Sequence, residues 1–182
     1  MDYKARALAV LVAATATSAA MASDGTINFN GELKAETCQV AVNGAAGSAG
    51  STVTLPTIST ASLASLGQVA GQTGFSIQLS KCSAALKTAS AFFEAGASVD
   101  PASGNLKNLS GTATKAQLQL VDASNGNPIK AGDTGQVAST SRISINSTTL
   151  SADLPYSVQY YAQAATTPGT VISNVTYSIN YQ

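Results

Sequence analysis

The chain has 182 residues, of which nine are basic and nine acidic, so its formal net charge is zero and only 10% of it is charged. That balance removes any electrostatic case for binding nucleic acid or a membrane surface. With no histidine present, Ser-His-Asp, Cys-His and imidazole–metal arrangements are excluded as well.

The first predicted element is a leader. Lys4 and Arg6 precede a short apolar run over residues 7–16, and Ala20-Met21-Ala22 supplies a small-x-small cleavage site. This reads as a secretory signal, residues 1–22, too short to hold a bilayer as a stable anchor. Cleavage after Ala22 leaves about 160 residues beginning at Ser23, the size of one domain. Removing Asp2, Lys4 and Arg6 leaves seven basic and eight acidic residues, so the exported part is also near neutral. Ser, Thr, Gly, Ala and Asn do much of its solvation, a composition suited to a secreted all-β protein.

Residues 25–33 alternate: Gly25, Ile27, Phe29, Gly31 and Leu33 on one face, Thr26, Asn28, Asn30 and Glu32 on the other. A period of two is a strand pattern, and this strand lies almost at the exported N-terminus. Residues 35–42 continue as strand through Cys38, and 44–50 form a Gly/Ala/Ser loop. Val53-Thr54-Leu55 is a short strand stopped by Pro56. Residues 60–66 form a helical turn ended by Gly67. Phe75, Ile77 and Leu79 alternate with polar residues on the way to Cys82, and 89–94 is a further strand.

Asp100-Pro101 through Gly104 is turn chemistry. Ala116, Leu118 and Leu120 alternate with glutamines, then Asn125-Gly126 and Ile129 signal a hairpin. Ile143 and Ile145 mark one strand, and Tyr156, Val158 and Tyr160 the next. Pro168-Gly169 turns the chain into a last strand with Val171, Val175, Tyr177, Ile179 and Tyr181 on one face. Its other face, Ile172, Asn174, Thr176, Ser178 and Asn180, is mostly polar. Seven to nine short strands without a long helix or a repeat predict an antiparallel β-sandwich.

Two cysteines, Cys38 and Cys82, both lie in the exported part and predict one disulfide. Closing that loop is worth roughly 4 kcal/mol in the chain-entropy model. No third soft ligand accompanies them, so no metal site is expected. The carboxylates Glu32, Glu36, Glu94, Asp100, Asp122, Asp133 and Asp153 are scattered, and their spacing makes no case for a glycosidase pair. Residues 44–50 lack the lysine of a phosphate loop. Asn108-Leu109-Ser110, Asn146-Ser147-Thr148 and Asn174-Val175-Thr176 fit the loose glycosylation pattern and read as chance. Tyr156, Tyr160, Tyr161, Tyr177 and Tyr181 gather in the C-terminal third, where sandwich packing accounts for them better than a sugar-binding stack. The expectation is a protein that is not an enzyme and needs no cofactor or metal.

Several stretches together resemble the structural subunits of chaperone–usher pili, near the type 1 fimbrial major subunit. Gly25-Thr26-Ile27-Asn28-Phe29-Asn30-Gly31-Glu32-Leu33 ahead of Cys38 resembles that family's stretch before its first cysteine. Val53-Thr54-Leu55 with Thr60-Ala61-Ser62-Leu63, and Gly74-Phe75-Ser76-Ile77-Gln78-Leu79 before Cys82, follow in the family's order. Pro168-Gly169 and the closing Tyr177-Ser178-Ile179-Asn180-Tyr181-Gln182 resemble its C-terminal signature.

The resemblance implies an incomplete immunoglobulin-like antiparallel β-sandwich, completed by donor-strand complementation. Its parts would be a donor-strand extension, residues 23–37, and a pilin domain, residues 38–182. Gly25, Ile27, Phe29, Gly31 and Leu33 would enter the groove of a neighbouring copy by strand addition, with Gly31 opposite a bulky groove residue. Val171, Val175, Tyr177, Ile179 and Tyr181 would line the acceptor groove. Gly169 and Tyr181 would serve chaperone docking, and basic residues of the chaperone would hold the Gln182 carboxylate. The implied partners are neighbouring pilin subunits in a homopolymer, a periplasmic chaperone and an outer-membrane usher. No nucleic acid is involved, and membrane contact comes through the usher alone. Export through the periplasm to a cell-surface fimbrium that supports adhesion follows. A minor adaptor or tip subunit is the alternative within the same class. A self-contained secreted sandwich that binds carbohydrate is the alternative outside it.

Overall fold

In the computed structural model, which describes residues 37–46 and 51–182, two antiparallel sheets face each other. The chain runs β1 (Gln39–Val42), β2 (Ala45–Ala46), a 3-10 turn (Thr60–Leu63), β3 (Val69–Ser80) and β4 (Thr88–Phe93). It continues through β5 (Leu106–Lys107), β6 (Ala116–Asp122), β7 (Pro128–Ile129), the helical turn α1 (Gln136–Ser139) and β8 (Ile143–Ser144). It ends in β9 (Ala152–Ala162) and β10 (Tyr177–Tyr181). The larger sheet has the order β2-β1-β3-β9-β6-β5, with β7 also on β6, and the smaller one the order β10-β4-β8. The alternating strand residues point Ile77, Leu79, Leu120, Leu154 and Val158 from the larger sheet against Ala89, Ala91 and Phe93 from the smaller.

Tyr156 is the pillar between the sheets. Its ring meets Phe93 edge-on, 5.2 Å between centroids, and stacks obliquely on Phe75 at 5.9 Å. Its hydroxyl accepts the Ala91 N–H of the opposite sheet at 2.8 Å. Burial pushes that hydroxyl above the usual tyrosine range, which keeps it neutral. The Cys38–Cys82 disulfide is formed and ties the start of the domain to the end of β3.

Most of the expected elements are present, with differences that have physical causes. The turn at Thr60–Leu63 begins on the Ser59 side chain, which caps the Ala61 N–H, and Gly67 leaves it at a φ of +84°. Asp100 and Gly104 make the expected turn, and Asn125-Gly126 the expected hairpin into β7. Val53-Thr54-Leu55 is not a laddered strand, and Thr37-Cys38 precede β1 outside its ladder, while residues 35–36 lie outside the described residues. The last strand is laddered only over Tyr177–Tyr181, while residues 171–176 have no regular strand partner among the described residues. Hydrophobic alternation marks a face, but a ladder requires a neighbouring backbone. The signal at 1–22 and the arm at 25–33 lie outside the described residues.

Candidate functional site

The C-terminal stretch is held by its even-numbered residues. Thr170 exchanges bonds with Thr112 and accepts the Ala113 N–H at 3.0 Å. The Ile172 N–H donates to Asn108 Oδ1, and its carbonyl accepts the Leu109 N–H, both at 2.8 Å. Thr176 accepts the Glu94 N–H, and Gln182 pairs with Thr88 in both directions. On the outer face, Ser178 donates to Glu94 at 2.6 Å. Arg142 binds Thr88, Ser90, the Asn180 side chain and the Asn180 carbonyl. These polar anchors fix which face of the strand turns outward.

The odd-numbered residues therefore face inward. Val171, Val175, Tyr177, Ile179 and Tyr181 are all half-buried and packed against the core, between exposed or polar neighbours. In an antiparallel ladder the backbone groups of alternate residues point to opposite sides. With the even residues bonded toward β4 and the 108–113 loop, the odd N–H and C=O groups point the other way. On that side β10 has no strand partner among the described residues.

Across the gap runs the stretch that failed to form a ladder. Val53, Leu55 and Ile58 are half-buried and turned inward, separated by exposed threonines and Pro56. The two walls enclose a groove of about 770 Å³ whose floor includes Leu63, Leu118 and Tyr160. None of the residues lining it is charged. Burial pushes the hydroxyls of Tyr160 and Tyr177 up, so neither ionises near neutral pH. The site is thus an uncharged slot with apolar side chains inside and, among the described residues, a backbone edge without a strand partner along the continuation of one wall. Such a slot accepts an extended segment with alternating apolar residues.

Of the expected groove residues, Gly169 and Val171 line this cavity, while Val175, Tyr177, Ile179 and Tyr181 continue the same wall beyond it. Gly169 has an internal reason to be glycine: its φ is +154°, and a Cβ there would meet Thr112 Oγ1 at 2.6 Å and also the Ala113 nitrogen. The Gln182 main-chain oxygen accepts the Lys87 and Thr88 N–H groups at 2.6 and 2.9 Å. Tyr181 reaches the start of the domain, where its hydroxyl accepts the Cys38 N–H at 3.3 Å. The domain therefore begins next to the end of β10. Val53, Leu55, Ile58 and Leu63 were missed as site residues, although the alternation of Val53 and Leu55 was visible. The donor-strand residues Gly25, Ile27, Phe29, Gly31 and Leu33 lie outside the described residues.

Comparison with known proteins gives a concordant result. The family model described as FimA, type-1 fimbrial protein, A, matches residues 55–182. The chain is 44% identical over 171 residues to the major fimbrial subunit SMF-1 of Stenotrophomonas maltophilia (strain K279a), covering 92% of this chain and 98% of that protein. It is 38% identical over 177 residues to the F17 fimbrial protein of Escherichia coli, covering 94% and 95%. Among solved structures, the P pilus rod subunit PapA shares the fold at 17% identity, with a TM-score of 0.56 over 80% of this chain and 99% of that one.

Proposed function

The chain belongs to the type-1 fimbrial protein family and is a structural pilus subunit; from that premise we propose that it is the rod-forming major subunit, joined to its neighbours by strand exchange. The observation that carries this reading is the inner edge of β10, which has no strand partner among the described residues and continues the wall where half-buried Val171 lies across the groove from Val53 and Leu55. An edge strand of this length with apolar side chains is a liability unless a partner strand covers it. Residues 25–33 have the matching character: Ile27, Phe29 and Leu33 alternate on one face, and Gly31 interrupts them. In this reading the arm, residues 23–37, leaves the domain beside Tyr181 and fills the groove of the next copy. Residues 38–182 form the receiving domain.

Before assembly the same edge would be covered by a strand of a periplasmic chaperone, handed over at an outer-membrane usher. That route follows removal of residues 1–22 and delivers the subunit to a cell-surface fimbrium. Chaperone docking would use Gly169, Tyr181 and the Gln182 carboxylate. Catalysis has no part in the proposal.

The test is Phe29→Asp in the full chain. A carboxylate in an apolar groove carries a burial cost of several kcal/mol. Rods should disappear from electron micrographs while the chaperone-bound subunit persists. Normal rods from Phe29→Asp would remove the arm from the mechanism. Purification of the exported chain as a self-sufficient monomer with its β10 edge covered from within would favour the self-contained sandwich.

A further inference from the structure

The smaller sheet has a second edge, and its closure is unusual. β8 covers only the beginning of β4, pairing Thr88 with Ser144 and Ala89 with Ile143. Beyond that point Ala91 and Phe93 turn their N–H groups away from β10, where a further strand would normally lie. Two side chains stand in for that strand. Tyr156 accepts the Ala91 N–H at 2.8 Å. Gln136 accepts the Phe93 N–H through Oε1 and donates Nε2 to the Phe93 carbonyl, each at 3.0 Å. A primary amide has the donor and acceptor spacing of a peptide group, so Gln136 pairs with Phe93 as a strand residue would. The Gly132 N–H adds a second bond to the same carbonyl at 2.8 Å.

Gln136, the first residue of α1, is 3% exposed; Phe93 and Tyr156 are 1% and 2% exposed. Gln136 Nε2 also binds the Asp133 carbonyl, which fixes the amide orientation. Among the described residues the remaining terminal strands β2, β5, β7 and β8 are two residues long, and the half of β3 that β1 leaves uncovered, Val69–Phe75, is broken by a bulge between Ala70 and Thr73, a device that spoils an edge for pairing. Two-residue edges offer little template for strand addition.

We propose that Gln136 and Tyr156 are specificity-determining residues that seal the outer edge of β4, so that a partner strand adds only at β10. The proposal rests on the strand-exchange reading and adds to it. That reading says where a strand enters, whereas this one says why a second does not enter on the other side. Each subunit then has one acceptor edge, and the polymer grows without branches.

The experiment uses the exported chain carrying Phe29→Asp, so that its own arm cannot link copies, with a synthetic peptide of residues 25–33 filling the groove. This complex should sediment as a monomer. If the peptide does not bind, or the chain still forms rods, the strand-exchange reading fails whatever the second edge does. In the monomeric complex, Gln136→Met keeps the side-chain length and removes the amide. Amide exchange at Phe93 should accelerate by roughly 10- to 100-fold, the effect of an uncompensated buried N–H, and sedimentation should reveal concentration-dependent association. Tyr156→Phe keeps the ring and should do the same through Ala91, so it carries the test if Gln136→Met does not fold. Faster exchange at Phe93 or Ala91 in a complex that stays monomeric overturns the proposal. So does a loss of protection spread evenly over β3 and β9, which would mark the two residues as ordinary core supports.

Discussion

Gly169 shows how packing alone can demand a residue type. Its backbone runs against Thr112 and Ala113 so closely that a methyl group has no space. Gly169→Ala should therefore cost about 1–3 kcal/mol, read by urea unfolding of the subunit with its groove filled. Wild-type stability would dismiss the packing argument. Asp100 gives a pH signature. Hydrogen bonds from Gln117, from the Ala102 N–H and from Ser103 hold its carboxyl below the ordinary carboxylate value. A lowered folded-state pKa contributes stability that is present above the unfolded value and is lost as the pH falls through the folded one. The subunit should lose stability as the pH falls below about 4, and Asp100→Asn should lack that part of the loss. Identical acid profiles for the two proteins would count against it.

Among the elements, the C-terminal strand was legible and its opposite wall was not. Val171, Val175, Tyr177, Ile179 and Tyr181 alternate cleanly, and each faces inward as the pattern predicts. Val53 and Leu55 show the same alternation, yet they form no ladder because the strand that would pair with them is not supplied by residues 37–46 or 51–182. The two faces of the last strand should behave differently. Val175→Ser should weaken binding of the 25–33 peptide roughly tenfold, from loss of one to two buried methyl groups. Asn174→Ala, on the exposed face, should leave it within about twofold, since surface changes of this kind stay within ±0.5 kcal/mol. Leu55→Ser should resemble Val175→Ser. Titration of the labelled peptide checks all three, and equal effects on both faces would mean that the groove is not the binding site. The α1 turn gave no signal, since four residues carry too little periodicity to read.

For the whole molecule, the disulfide and the groove beside the C-terminal stretch act on the same balance. The Cys38–Cys82 bond ties the start of the domain to the end of β3, beside Tyr181 at the end of β10. Replacing both cysteines by alanine should cost roughly 2–5 kcal/mol, measurable by denaturant unfolding of the peptide-filled subunit. Filling the groove should work in the opposite direction. At 100 times its Kd the peptide adds about 2.7 kcal/mol by mass action, so the melting temperature of the subunit should climb with peptide concentration. A melting temperature independent of peptide would remove the groove as a strand acceptor.

The sequence by itself determined the all-β class, the disulfide and the inward face of the last strand, because each depends on local composition, cysteine count or a period of two. The family resemblance rested on motifs in order along the chain and was equally local. The second wall at Val53, Leu55 and Ile58, the packing demand on Gly169 and the side-chain seal at Gln136 and Tyr156 were decided by the tertiary structure alone. Each is a relation between backbones distant in the chain: which strand finds a neighbour, which edge stays open, and which side chain takes the place of an absent one.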